Sequence, residues 1–485
     1  MMSLLLVVLP LIAALVAYGA KGKPKIIRFL LLFAALVHSG MTVAALLLPD
    51  DTALSLVCWG SELLGIDGLS MIFLMMTSLL FLLVSIHILF WLPAEEAVDR
   101  SRAKEHYKNV GLLREHIFIP CLLAFLSMMT LVICSRNLGL LWVALEATTL
   151  VSAPLICFHR SAHSLEAMWK YLLICSVGIG LALFGTMLVA VAGMHAGGLP
   201  FGLNFNLIRE NTGLLDPGWF KAAFIFALIG YGTKMGLAPL HTWLPDAYSE
   251  APGTVSALLS GALMNCSFLA LIRYVQIAPD SLKEFCNGLL ITFGIFSLAV
   301  AAFFIIRQSD FKRMIAYSSI EHVGLAVILW GIGAESITVL HICGHSIIKM
   351  VLFLLAGNIL MAYGTRSVSA IGGMFGILPR NAVLWVIGIL LICGTPPSPL
   401  FVTEYLLVRD APLWLGITVL VLLFAIFAGM AIGCLKMTMG KCEILKTGSF
   451  SAKEAEKLWG IPFVGVVTAL VSGGLLLLIL NMGRL

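Results

Sequence analysis

Glu146, Lys234, His345, Lys349 and Glu404 are ionisable side chains set inside runs of sequence that are otherwise apolar. A charge at membrane depth costs a few kcal/mol on insertion scales, so such groups ordinarily line a polar cavity or an ion path. Lys234 lies in GYGTKMGLAPLHTWLPDAYSEAP (230–252), where Gly232 precedes it and Gly236 and Pro239 loosen and then break its helix. The alternative is a lysine whose long stem reaches the water interface. Glu146 lies in NLGLLWVALEATTLVSAPL, with Trp142 one turn earlier on the same face. A carboxylate at that depth needs a cation, and Lys234 is the candidate. At about 4 Å and an effective dielectric near 20 the attraction is about 4 kcal/mol. The two residues read either as a switch, in which withdrawing the carboxylate lets the lysine release its proton, or as a structural ion pair.

His341, His345 and Lys349, in HICGHSIIKMVLFLLAGN, recur every four residues and so project from nearly one helix face. Neutral imidazole takes up a proton at one nitrogen and yields one at the other, which makes this stripe a relay. A His-x-x-x-His pair also suits a metal ion, but no further carboxylate or cysteine lies on the face. His341 reads equally as a hydrogen-bonded core histidine. Glu321 and His322, in IAYSSIEHVGL, are placed toward the cytoplasmic end of their helix, where they either feed protons or cap and hydrate it. His241, Asp246 and Glu250 follow the first helix break and are expected to fix that loop through hydrogen bonds. A second break, GTPPSPLFVTEYLL (394–407), sets Pro396 and Pro397 just before Glu404. Paired helices interrupted by Gly and Pro point to a transport site at a repeat interface; the alternative is two unrelated proline kinks.

The elements that must hold these residues are spans of a bilayer. The chain has 485 residues, 60% hydrophobic and 11% charged, whereas a water-soluble domain is about a quarter charged. Runs of about 20 apolar residues fall at 2–20, 26–48, 66–92, 115–134, 137–158, 169–194, 219–240, 254–277, 285–306, 312–332, 336–362, 382–406, 411–435 and 460–481. This predicts an all-α polytopic membrane protein with about 14 transmembrane helices. The first run is followed by Lys21, Lys23, Lys25 and Arg28, the wrong order for a signal peptide, so it reads as a retained helix. Of the 30 Lys and Arg residues, twenty-one, among them Lys104, Lys108, Arg307, Lys312 and Lys446, fall on one side. Seven fall on the other (Arg136, Arg209, Lys221, Arg273, Lys283, Arg409 and Arg484), leaving Lys234 and Lys349 within the membrane. That asymmetry makes the first side cytoplasmic and puts both termini outside. Neither long cytoplasmic loop, 93–114 or 436–459, is large enough for a domain. The 11 cysteines form no C-x-x-C pair and lie singly in apolar runs, as core residues do. No nucleic-acid motif is present, and the net charge of +5 comes mostly from loops.

Taken together, KMGLAPLHTWLPDAYSEAP, LLWVALEATTL, DFKRMIAYSSIEHVGL and the Pro-Pro element before Glu404 resemble the antiporter-like subunits shared by respiratory complex I, Mrp-type cation/proton antiporters and membrane-bound NiFe hydrogenases. The resemblance covers about residues 110 to 410. YSSIEHVG and HSIIKMVLFLLAGN are most similar to component F of hydrogenase-4 and formate hydrogenlyase type complexes. The resemblance implies two inverted five-helix repeats, each with a discontinuous helix, at 111–278 and 279–436. They are preceded by a three-helix segment and cytoplasmic loop (1–110) and followed by a loop and last helix (437–485). It implies that Glu146 and Lys234 are the charged pair, that Lys349 is a central relay and that Glu404 ends the path. The chain departs from the complex I members at Asn265, which stands where they carry a lysine or histidine. An amide orders water but does not hold the proton.

These readings predict a non-redox, proton-translocating subunit without a cofactor of its own, in a complex I-like or group 4 hydrogenase assembly. It would work with other membrane subunits and a peripheral hydrogenase or dehydrogenase arm, in a bacterial or archaeal cytoplasmic membrane. The rivals are a sodium/proton antiporter subunit and a non-conducting scaffold, the latter favoured by Asn265.

Overall fold

A computed structural model of the chain describes residues 2–47, 63–106, 112–195, 202–441 and 449–481. The helices in order are α1 (Met2–Gly19), α2 (Pro24–Leu47), α3 (Gly68–His106), α4 (Glu115–Cys134), α5 (Leu138–Ile156), α6 (Ala162–His195), α7 (Phe205–Glu210), α8 (Pro217–Met235), α9 (Trp243–Glu250), α10 (Gly253–Leu258), α11 (Met264–Gln276), α12 (Asp280–Ile305), α13 (Phe311–Gly331), α14 (Glu335–Tyr363), α15 (Met374–Ile377), α16 (Pro379–Ile392), α17 (Pro399–Asp410), α18 (Leu413–Met439), α19 (Phe450–Glu456) and α20 (Gly460–Asn481). A π-helical turn, Leu259–Leu263, joins α10 to α11. Hydrocarbon offers backbone amides no partner, so apolar runs of this length close their hydrogen bonds internally as helices.

The protein is a polytopic all-α membrane protein. Among the described residues, 12 helical stretches are long and apolar enough to cross a membrane. They coincide with all of the predicted spans except 219–240 and 382–406, the two that are interrupted. α8 stops at Gly236, whose left-handed backbone (φ 86°) turns its N–H back onto the carbonyls of Gly232 and Thr233. α16 stops before Gly394 (φ 63°), and the chain restarts at α17 with Ser398 as N-cap and Pro399 at the first helical position. The Ala238–Pro239 and Pro396–Pro397 peptide bonds are cis.

Three sequence expectations change. The predicted cytoplasmic loop 93–114 is helical as far as His106, because α3 continues past its apolar stretch. Arg273 and Lys312, counted with the loop charges, are buried, at 5% and 0% exposure. Each has its charge met by local partners: Arg273 by Asp67, and Lys312 by the carbonyls of Ser249 and Ala251. Lys108, Lys446 and Arg484, also part of the charge asymmetry, lie outside the described residues.

The chain divides into two compact units. The first comprises Met1–Ser85, Leu113–Gly236 and Ala262–Leu289; the second comprises Ile86–Leu112, Leu237–Gly261 and Leu290–Leu485. In the first, α6 and α8 meet backbone to backbone, and a Cβ at Gly230 would overlap Gly178 O and Ala182. Small residues permit such contact between membrane helices, where packing rather than a hydrophobic drive holds them together. The same unit carries a clamp in which Arg273 bonds both oxygens of Asp67, at 2.5 and 2.9 Å, and stacks on Phe205. Burial works to raise the Asp67 carboxyl, but hydrogen bonding and charge from Arg273, with bonds from Ser70, outweigh it and hold it at about 2. The second unit has an apolar core that includes Leu298, Leu325, Ile328, Leu407 and Val419.

Candidate functional site

Lys234 sits in the last turn of α8, where the free carbonyls of a helix end favour a cation. It is 1% exposed, so the snorkelling alternative fails: the stem does not reach the surface. Its Nζ donates to Thr149 Oγ1 at 2.8 Å and to Tyr171 OH at 2.7 Å, and it lies over the Tyr171 ring at 4.6 Å. No ion pair within 4.0 Å joins Lys234 to Glu146. Instead the Thr149 hydroxyl, one turn along α5, reaches Glu146 Oε2 at 3.4 Å while accepting from the lysine. The other Glu146 oxygen accepts from Ser176 Oγ at 2.7 Å. The expected direct pair is therefore a hydroxyl-bridged one. Tyr171 extends the line, bonding Ser152 Oγ at 2.7 Å.

Asn265 lies on α11 just after the π-helical turn and is 1% exposed, but Lys234 makes no hydrogen bond to it.

The second unit also holds a buried lysine away from its carboxylates. Lys349 on α14 is 0% exposed, and its Nζ donates to Ser318 Oγ and Ile315 O, at 2.5 and 2.6 Å. Ser318 is one turn from Glu321 on α13, as Thr149 is one turn from Glu146 on α5. In both units neutral oxygens rather than a glutamate hold the ammonium, but the Ser318 hydroxyl donates to Ile315 O and does not bridge to Glu321.

Glu321 and His322 fall in the middle of α13, at 3% and 1% exposure, and not at the cytoplasmic end where the sequence placed them. They therefore neither cap nor hydrate a helix end. His322 Nδ1 is 3.2 Å from His341 Nε2, its Nε2 is 3.0 Å from Ile392 O, and His341 Nδ1 is 2.9 Å from Thr403 Oγ1. His341 is thus hydrogen-bonded on both ring nitrogens, and its partner is a histidine from another helix rather than His345. The His345 ring lies 5.2 Å from that of His322, and both its nitrogens are buried without a hydrogen-bond partner in the chain. Glu404 Oε1 is in the same condition. Its carboxylate lies against Gly394, where a Cβ would strike it, so the second helix break makes room for this side chain. Buried polar atoms cost about 1–3 kcal/mol each when they have no partner, and are ordinarily satisfied by water.

The loop after the first break is held as expected by its carboxylates. Asp246 pairs with Arg313 and Glu250 with Arg366, both at 2.5 Å. His241 takes no part in these pairs; it is 7% exposed and packs beside Tyr317. The residues missed from sequence are the bridging hydroxyls Thr149, Tyr171, Ser176 and Thr403, and the buried Lys312. Thr149 had a signal, lying one turn from Glu146, and Thr403 directly precedes Glu404.

Comparison with known proteins adds four findings. The family described as NADH:quinone oxidoreductase/Mrp antiporter, TM, matches residues 135–432. The chain is 34% identical over 360 residues to the hydrogenase-4 component F homolog of Methylacidiphilum infernorum, covering 71% of this chain and 72% of that protein. It is 25% identical over 468 residues to hydrogenase-4 component B of Escherichia coli, covering 91% of this chain and 65% of that longer protein. Its fold is similar to a chain in the Mrp complex from Dietzia sp., with a TM-score of 0.82 at 17% identity, covering 98% of this chain and 95% of that one.

Proposed function

Because this chain belongs to the NADH:quinone oxidoreductase/Mrp antiporter membrane family, we propose that it is a proton-translocating, non-redox membrane subunit of a complex I-like energy-converting assembly of the hydrogenase-4 or formate hydrogenlyase type. The observation that carries this reading is the pair of lysines, Lys234 and Lys349, each buried and each bonded through Nζ to neutral oxygens rather than to a carboxylate: two hydroxyls for Lys234, and a hydroxyl and the Ile315 carbonyl for Lys349. An ammonium in contact with a carboxylate is locked in its charged form, whereas one held by neutral hydroxyls can give up a proton and take one back. In this reading Lys234 stores the proton and Glu146 acts on it through Thr149. His345 and Lys349 relay it, with His341 and His322 in support, and Glu404 passes it to the outer side.

The same reading places the chain in a bacterial or archaeal cytoplasmic membrane with both termini outside. It works beside other membrane subunits and a peripheral hydrogenase or dehydrogenase arm, and holds no cofactor itself. Proton uptake by vesicles containing the whole complex tests it. Lys234→Ala is expected to abolish uptake in an assembled complex, and unchanged uptake per electron rejects the reading. The second reading, a sodium/proton antiporter subunit, is favoured by the Mrp members of the family and by the unpartnered Glu404 oxygen, which suits a hard cation as well as a proton. Transport that requires sodium would select it.

A further inference from the structure

Around the second helix break, two histidines and a threonine share a chain of hydrogen bonds whose directions the backbone fixes. Ile392 ends α16, and the interruption leaves its carbonyl without a helical donor. His322 Nε2 lies 3.0 Å from that oxygen. A carbonyl only accepts, so this nitrogen carries a hydrogen, and in a neutral ring the other nitrogen, Nδ1, is bare. His341 Nε2, 3.2 Å from that bare nitrogen, must then be a donor. This in turn leaves Nδ1 of a neutral His341 bare, 2.9 Å from Thr403 Oγ1.

The Thr403 hydroxyl has a single hydrogen and two acceptors within reach, His341 Nδ1 at 2.9 Å and Leu400 O at 2.9 Å. While both rings are neutral the hydrogen must point at His341. If it points at Leu400 O, His341 Nδ1 must carry a proton of its own, and the His322–His341 pair then holds one more proton and one positive charge. Thr403 is 0% exposed, so bulk solvent does not reach its hydroxyl.

We infer that the Thr403 hydroxyl is a rotary switch that sets whether the His322–His341 pair holds the translocated proton. The inference rests on the proton-translocating reading given above. On loading, the translocated proton forms an N–H bond at His341 Nδ1. The Thr403 hydrogen turns from Nδ1 to Leu400 O without leaving its own oxygen, and the charge of the pair rises by one. Unloading reverses both movements. Thr403 is a positioning residue in this scheme: it never holds the excess proton at rest, but its orientation decides whether the ring beside it can. Its neighbours fit the task, because Glu404 follows it in the chain and the unpartnered His345 ring stands 5.2 Å from His322.

The experiment compares Thr403→Val, Thr403→Ser and Lys349→Ala in the intact complex in vesicles, reading proton uptake per turnover. Valine keeps the shape and removes the hydroxyl, and is expected to lower uptake by about tenfold or more, the change that follows from about one strong hydrogen bond lost along the path. Serine restores the rotor and is expected to bring uptake back to within about twofold. If the valine variant does not assemble, Thr403→Cys takes its place, since a thiol is a weak donor of similar size, and the same loss is expected. Native uptake in the valine or cysteine variant, with Lys349→Ala blocked, overturns the switch and leaves the proton-translocating reading standing. Native uptake in Lys349→Ala overturns both.

Discussion

Thr149→Val probes the first unit with the least disturbance, because it keeps the shape of threonine and removes only the hydroxyl between Lys234 and Glu146. The two legs of the bridge, 2.8 and 3.4 Å, hold Nζ and Oε2 at most about 6 Å apart. At an effective dielectric near 20, opposite unit charges at that separation attract by about 3 kcal/mol. This attraction survives the substitution. The loss is one hydrogen bond from an ammonium, about 1.5–3 kcal/mol, which lowers the hold of Lys234 on its proton by a factor of about 10 to 150. Glu146→Gln does the reverse, keeping the hydroxyl and deleting the charge, with an expected loss of about 100-fold. Both changes act on one ammonium, so the double variant should lose less than the two single losses combined. The assay is the initial rate of proton uptake per turnover in vesicles containing the assembled complex. Native rates in Thr149→Val, with Lys234→Ala blocked, would show that the hydroxyl does not connect the two charges and refute the bridge.

Other consequences follow from single contacts. Asp67, held at about 2 against an ordinary 3.8, contributes stability that is fully present above the ordinary value and is lost as pH falls through the lower one. Thermal unfolding in detergent should therefore weaken in the native protein between about pH 4 and 2, while Asp67→Asn is less stable at neutral pH and nearly flat across that window. Gly394→Ala places a Cβ on the Glu404 carboxylate at a left-handed backbone position, so it should destabilise by more than about 1 kcal/mol and impair uptake. Gly376→Ala, at an open site, serves as the control. Lys312→Met strips a donor from Ala251 O and from Ser249 O, of which Ser249 O keeps Arg366. A loss of about 1–3 kcal/mol, mainly from Ala251 O, should show as reduced recovery of folded chain.

The parts of the site visible in sequence are those whose presence is expensive. Lys234, Lys349 and Glu404 stand out because a charge in an apolar run needs a reason, and the helix breaks stand out because Gly and Pro oppose a helix wherever they fall. The bridging groups are silent for the opposite reason. Serine and threonine cost little in a membrane helix, where their hydroxyls can bond a carbonyl of the preceding turn, as Ser318 does, and Thr149 Oγ1 lies equally near Leu145 O and Glu146 Oε2. Only the neighbouring helix shows that Thr149 also serves Lys234. The direct Glu146–Lys234 pair was the natural expectation from charge alone, and the intervening hydroxyl is a matter of packing. Lys312 was misread because it adjoins Arg313 at a helix start, where an exposed loop cation and a buried carbonyl-binding lysine have the same sequence appearance.

The acceptor that orients His322 is the main-chain oxygen of Ile392, not a side chain. No replacement of residue 392 that preserves the helix end can abolish it, so the orientation of His322 should be indifferent to the identity of that residue. What encodes the contact is the interruption a few positions later, at Gly394 to Ser398. A relative could change residue 392 freely and keep the histidine in place, or preserve every ionisable residue, lose the interruption and let the ring turn. Inventories of polar residues alone would therefore misjudge which members of the family retain a working path.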